Sequence, residues 1–134
     1  MRVLLDTHVV LWATTDPHRL GRHRDLVADP GVTRLLSAAV VWEVAIKFGL
    51  GRLDLGPGVV VADWLAQVRA DLVMEDVPIV VEHAAAVADL PHHHRDPFDR
   101  LLVAQARSLS VPLLSADPAM RAYDVEILAI DPTR

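Results

Sequence analysis

Short apolar runs alternate along this chain with longer stretches whose apolar residues recur at helical spacing. Val3-Leu4-Leu5 is a β-forming triplet that ends at Asp6, and Thr7-His8 then lead into a segment at 9–13 of helical character. A second helix is expected over 21–28, closed by the turn Asp29-Pro30-Gly31, and Thr33-Arg34-Leu35-Leu36 reads as the next strand. Ser37 is placed to cap a helix reaching to about Phe48, where Gly49 and Gly51 stop it. After Gly56-Pro57-Gly58, apolar residues at 61, 64, 65, 68 and 72 predict a helix within 59–72. A brief extended piece, Val77-Pro78-Ile79, precedes a helix over about 81–90 and the polar loop Pro91-His92-His93-His94-Arg95. Asp96-Pro97 starts a helix over 98–108, and Val111-Pro112-Leu113-Leu114 is a strand that runs out through Ser115-Ala116 to Asp117-Pro118. A short helix to Tyr123 and a last strand within 125–130 complete the chain. Strands alternating with helices specify an α/β fold, a mostly parallel central sheet covered by helices on both faces. At 134 residues, with no repeat or linker, one domain over 1–134 is expected.

Composition narrows the chemistry. No apolar run approaches the ~20 residues a bilayer span needs, so no membrane association is expected. Nothing before the first strand resembles an export signal, and the lack of Cys removes disulfides, thiolate catalysis and Cys-based zinc sites; both fit the cytoplasm. A net charge of −5 argues against broad electrostatic capture of nucleic acid but leaves room for an enzyme whose acidic centre works through a cation. All basic residues but Lys47 are Arg, a side chain suited to bidentate phosphate contact, although genomic base composition explains that bias equally well.

Four acids stand where apolar surroundings ordinarily exclude charge: Asp6, Glu43, Asp99 and Asp117. Asp6 and Asp117 each follow a strand and precede a helix, which places them at the carboxyl edge of a parallel sheet, where ligands bind. Taken singly, each reads first as a helix N-cap. Glu43 interrupts a helix so apolar that most of its circumference must be covered, and its simple alternative is an ion pair with Lys47 in the favourable i, i+4 order. Asp99 begins the stripe continued by Leu102, Val103 and Ala106, whereas Asp96, one turn earlier, is accounted for as an N-cap. Four carboxylates gathered at one edge repel one another unless a cation joins them, and oxygen-only ligation suits Mg²⁺ or Mn²⁺.

The motifs Leu4-Leu5-Asp6-Thr7-His8, Trp42-Glu43 within 37–47, Gly51-Arg52-Leu53, His94-Arg95-Asp96-Pro97-Phe98-Asp99-Arg100-Leu101-Leu102 and Leu114-Ser115-Ala116-Asp117 resemble, in order, those of PIN-domain ribonucleases, specifically VapC-type toxins of type II toxin–antitoxin systems. The resemblance implies a PIN-like three-layer α/β/α fold and a Mg²⁺- or Mn²⁺-dependent endoribonuclease. It implies Asp6, Glu43, Asp99 and Asp117 as metal-binding and catalytic acids, with Thr7, Ser115 and Asp96 in support. It also implies an RNA substrate, a cognate VapB-type antitoxin, a homodimer, and operator DNA reached only through the antitoxin.

Among basic residues Arg95 and Arg100 flank the acidic helix start, and Arg22, His23, Arg24 and Arg52 are further positions for RNA contact, each also readable as solvated surface. A run of adjacent His seldom supplies three converging ligands, so His92-His93-His94 is not read as a zinc site; His94 is read as shaping its loop. Trp12, Trp42 and Trp64 are assigned to the core, and the apolar helices at 38–46 and 59–72 leave room for an interface. The competing readings are a noncatalytic protein of the same fold and a phosphate-handling, receiver-like domain phosphorylated on Asp6. The second lacks paired acids after the first strand and a Lys after a late one.

Overall fold

The structure, a computed structural model, describes residues 1–93 and 95–130. Its strands are β1 (Arg2–Leu5), β2 (Thr33–Ser37), β3 (Glu75–Val77), β4 (Leu113–Ser115) and β5 (Ile127–Ala129). All neighbours pair in parallel, in the order β3-β2-β1-β4-β5. The central strand β1 is buried at Val3, Leu4 and Leu5, which is why it reads as an unbroken apolar run rather than an alternating one. Leu4 lies opposite Leu35 on one side and Leu113 on the other. The chain builds outward from β1 through β2 to β3, then returns to β1's other side with β4. The crevice between the carboxyl ends of β1 and β4 is therefore the topological switch point of the sheet.

The helices are α1 (Thr7–Thr15), α2 (Arg24–Ala28), α3 (Ala38–Gly49), α4 (Val61–Leu72), α5 (Val81–Ala86) and α6 (Pro97–Leu109), with 3₁₀ turns at Pro17–His23, Val87–Asp89 and Pro118–Ala122. They cover the sheet in the expected α/β/α arrangement, with α3 packed against α1, α4 and α6. Among the described residues no helix is long and apolar enough to cross a membrane.

Several boundaries differ from the sequence expectation, each for a local reason. The strand expected at 77–79 lies instead at Glu75–Val77, since Pro78 has no N–H for the ladder and the pairing with β2 needs only backbone. The helix expected over 21–28 is confined to α2, because Gly21 (φ 56°, ψ −132°) breaks the chain in a conformation only glycine adopts easily. The expected 81–90 helix is split into α5 and a 3₁₀ turn.

Two buried polar side chains tie these pieces together. Gln105, fully buried on α6, accepts from the Ser37 hydroxyl at 2.5 Å and donates to the Pro78 carbonyl at 3.3 Å, linking the ends of β2 and β3 to the helix behind them. Arg100 donates to the carbonyls of Pro91 (2.8 Å), Val87 (3.2 Å) and Leu90 (3.3 Å) and to the Tyr123 hydroxyl (3.4 Å), which holds the entry to α6.

Candidate metal and RNA site

Asp6 is the first residue beyond β1 and Asp117 the second beyond β4, so the switch point itself sets them side by side. Asp6 caps α1, its Oδ1 accepting the Val9 N–H at 3.0 Å, and Asp117 caps the following 3₁₀ turn through the Ala119 N–H at 2.9 Å. Capping engages one carboxylate oxygen in each case, so the capping and ligand readings of these residues are compatible. Ser115 supports both acids: its hydroxyl accepts the Asp117 N–H at 3.1 Å and bonds the Asp6 carboxylate. Burial pushes the Asp6 carboxyl above its ordinary pKa, and the bonds from Ser115 and Val9 and the neighbouring His8 only partly offset it.

From the other side come α3 and α6. Glu43 is buried at 4% exposure, and both of its oxygens are engaged. Oε1 accepts the Thr7 hydroxyl at 2.6 Å and Oε2 the Lys47 ammonium at 2.5 Å. The ion pair with Lys47 thus exists, yet it does not place Glu43 at the surface. The hydrogen bond to Glu43 and the nearby Asp96 and Asp99 raise the Lys47 pKa, fixing its positive charge. Asp96 caps α6 through the N–H groups of Phe98 (2.9 Å) and Asp99 (3.1 Å). Asp99, in the first turn, has its pKa raised to about 7, by burial first and then by Asp96, Asp6, Glu43 and Asp117.

All four expected acids, with Thr7, Asp96 and Lys47, line one cleft of about 380 Å³; Ser115 lies buried beneath it. His8, Trp12 and Arg19 also line it, and none was assigned to the site from sequence. Their only sequence signal is the i, i+4 spacing of His8 and Trp12 just after Asp6. Among the described residues no three His, Asp or Glu side chains converge closely enough to hold an ion by themselves. A hard divalent ion keeps several waters and takes one or two carboxylates beside phosphate oxygens, so its binding does not require three such side chains. The donors are all oxygen, and burial together with the mutual repulsion of these carboxylates, which raises the Asp99 pKa, is what a bound cation would relieve, so the residues fit Mg²⁺ or Mn²⁺.

Other expected positions fall elsewhere. Arg100 is buried, with its guanidinium engaged by backbone carbonyls. Arg24 bonds His18, and Arg22 and His23 line a separate concavity with Arg121. Arg95 and Arg52 are exposed. His93 packs edge-on against Tyr123, and His94 lies outside the described residues. Of the tryptophans only Trp64 is core: Trp12 is half-buried at the cleft, and Trp42 is 55% exposed above an apolar groove between α3 and α4.

A family model described as PIN domain matches residues 3–126. The chain is 31% identical over 123 residues to ribonuclease VapC22 of Mycobacterium tuberculosis, covering 90% of this chain and 91% of that one. Its fold is similar to that of VapBC2 from Rickettsia felis, solved bound to a promoter DNA fragment (TM-score 0.71, 12% identity, 98% of this chain and 100% of that one). It is similar also to FitAcB from Neisseria gonorrhoeae (TM-score 0.64, 20% identity, 98% and 99%) and to VapBC-5 from M. tuberculosis (TM-score 0.59, 22% identity, 96% and 98%).

Proposed function

The chain belongs to the PIN-domain family, and from that premise we propose that it is a divalent-metal-dependent endoribonuclease serving as the toxin of a toxin–antitoxin pair. The observation that carries this reading is the convergence of Asp6, Glu43, Asp99 and Asp117, drawn from two strand ends and two helices, on a single cleft. Asp6, Asp99 and Asp117 would hold Mg²⁺ or Mn²⁺. Such an ion, when bound, supplies a water of lowered pKa and neutralises charge on a phosphodiester.

The chain's own residues account for the rest. Thr7 and Lys47 between them hold Glu43 in one orientation, which fits it to align an attacking water rather than to wander in solvent. Lys47 also offsets part of the carboxylate charge that would repel RNA. Ser115 fixes Asp6 and Asp117 relative to one another.

A VapB-type antitoxin, a second copy of the chain, and operator DNA reached through the antitoxin are the partners this reading carries, with a cytoplasmic location. Supporting a protein partner are Trp42 and Ile46, 55% and 38% exposed on α3 beside the apolar groove. The receiver-like alternative fits less well, since a receiver's sheet runs 2-1-3-4-5 and this one runs β3-β2-β1-β4-β5.

Purified protein incubated with structured RNA and Mg²⁺ or Mn²⁺ is the test. Cleavage that EDTA stops and that Asp6→Asn or Asp99→Asn abolishes without unfolding is expected. Full activity in either variant would overturn the site, and labelling of Asp6 by an acyl-phosphate donor with no nuclease would restore the rival.

A further inference from the structure

His8, Trp12 and Arg19 line the acid cleft yet supply none of its carboxylates. His8 and Trp12, one turn apart on α1, hold their ring centroids 5.7 Å apart at 47°. Arg19, from the 3₁₀ turn that follows α1, sets its guanidinium carbon 4.2 Å from the Trp12 ring centroid. His8 and Arg19 are exposed and Trp12 is half-buried, so the group is open to the cleft. Arg19 makes no salt bridge among the described residues, although five carboxylates line the same cleft. Its charge is held over a ring instead of being spent on a nearby acid.

Planar cations and aromatic faces set beside a phosphate-handling centre are the means by which proteins grip unstacked bases. Every base has a π-face to offer Trp12, while a guanidinium already oriented against that ring can stack on the base or hold the adjoining phosphate. A base inside a duplex is stacked on its neighbours and cannot enter. We propose that Trp12, flanked by His8 and Arg19, is a stacking platform for an unpaired nucleobase next to the scissile phosphate. This rests on the ribonuclease reading above and adds to it the residues that grip the base beside the scissile phosphate.

The bland account is that Arg19 merely covers an indole, and a double-mutant cycle separates the two. Affinities are measured for a labelled single-stranded oligoribonucleotide carrying one abasic site at each position in turn, with Ca²⁺ as the ion, on wild type, Trp12→Phe and Trp12→Leu. One abasic position should weaken wild-type binding about ten-fold and leave Trp12→Leu unchanged, because that variant has already lost the same contact. Trp12→Phe should bind as wild type does, and a duplex of the same sequence should not distinguish the three proteins. Wild-type affinity in Trp12→Leu, or losses that simply multiply, would remove the platform while leaving the ribonuclease standing if wild type cleaves the oligonucleotide with Mg²⁺ or Mn²⁺. A wild-type protein that neither binds nor cleaves any RNA would remove both. Should Trp12→Leu fold poorly, Arg19→Ala, at an exposed side chain, carries the same cycle, and multiplying losses there would equally remove the platform.

Discussion

The Thr7 hydroxyl donates to Glu43 Oε1 at 2.6 Å, across 36 residues of sequence and inside the protein. A threonine at the first position of α1 thereby fixes an acid in the middle of α3, and Lys47 holds the same carboxylate from the opposite side. Thr7→Val keeps the shape and removes the donor. It should lower kcat by about ten-fold or more with little change in KM, since Glu43 is left loose rather than absent. It should also cost about 1–3 kcal/mol of stability, for a buried oxygen then lacks its partner. Thr7→Ser should restore both, and steady-state kinetics beside urea unfolding on the three proteins check it.

Asp99, with its pKa raised to about 7, makes a pH prediction whose sign is definite. In the unfolded chain the carboxyl titrates near 3.8. Between those values the folded protein binds more protons than the unfolded one, so metal-free stability falls as pH rises through the window. Asp6, also raised by burial, acts in the same direction. Urea midpoints in EDTA should therefore be higher at pH 5 than the Asp99 charge allows at pH 8, and Asp99→Asn should flatten the difference. Cation affinity should run the opposite way, rising with pH up to about 7 as the proton leaves and levelling beyond it, which calorimetric titration with Mg²⁺ or Mn²⁺ reads directly.

What could be read in advance follows from where the chemistry shows through the pattern. Asp6, Glu43, Asp99 and Asp117 were legible because each breaks an apolar run, and charge in such a place has to be explained. The α/β alternation was legible because short apolar runs alternate with stretches whose apolar residues recur at helical spacing. Glu75 and Asp76 hid β3, because a parallel edge strand pairs through backbone alone and its exposed acids look like loop. Gln105 carries no charge to attract notice, and only the fold brings Ser37 and Pro78 to it. The grouping of Arg19 with Trp12 depends on a 3₁₀ turn whose direction no periodicity encodes. Trp42 was assigned to the core from its apolarity, a property that cannot distinguish a core position from an exposed docking face.

Val73 ends α4 in the left-handed region, at φ 49° and ψ 60°, with its N–H returning to the Arg69 carbonyl at 3.0 Å. A β-branched side chain crowds its own backbone there, and at 74% exposure Val73 buries little in compensation. Glycine is the residue helices ordinarily use at such an end. Val73→Gly should stabilise the protein by about 0.5–1 kcal/mol, the relief of strain exceeding the added freedom of the unfolded chain. A rise of a few degrees in Tm with unchanged cleavage is the expected measurement, and a fall would mean that Val73 packs better than its exposure indicates.

Arg100 distinguishes a structural arginine from an RNA-binding one. It stands beside Asp99 in the sequence, yet it is buried at 8% exposure, and its guanidinium joins the carbonyls of Val87, Leu90 and Pro91 to Tyr123. A planar fork with five donors can serve all of these at once, and an ammonium cannot. Arg100→Lys should therefore fail to rescue Arg100→Met, with both losing about 3 kcal/mol, or roughly 10 °C in Tm, as buried carbonyls go unpaired. Because α6 starts at Pro97, loosening its entry displaces Asp99 as well, so cleavage should fall as the temperature approaches the lowered Tm and recover on cooling. The salt dependence of RNA binding should keep its wild-type slope, since no phosphate contact has been removed. Arg95, exposed just before the Asp96 cap, is the contrasting position: Arg95→Ala should leave Tm unchanged. A shallower salt slope for Arg100→Met than for wild type would return Arg100 to the RNA interface.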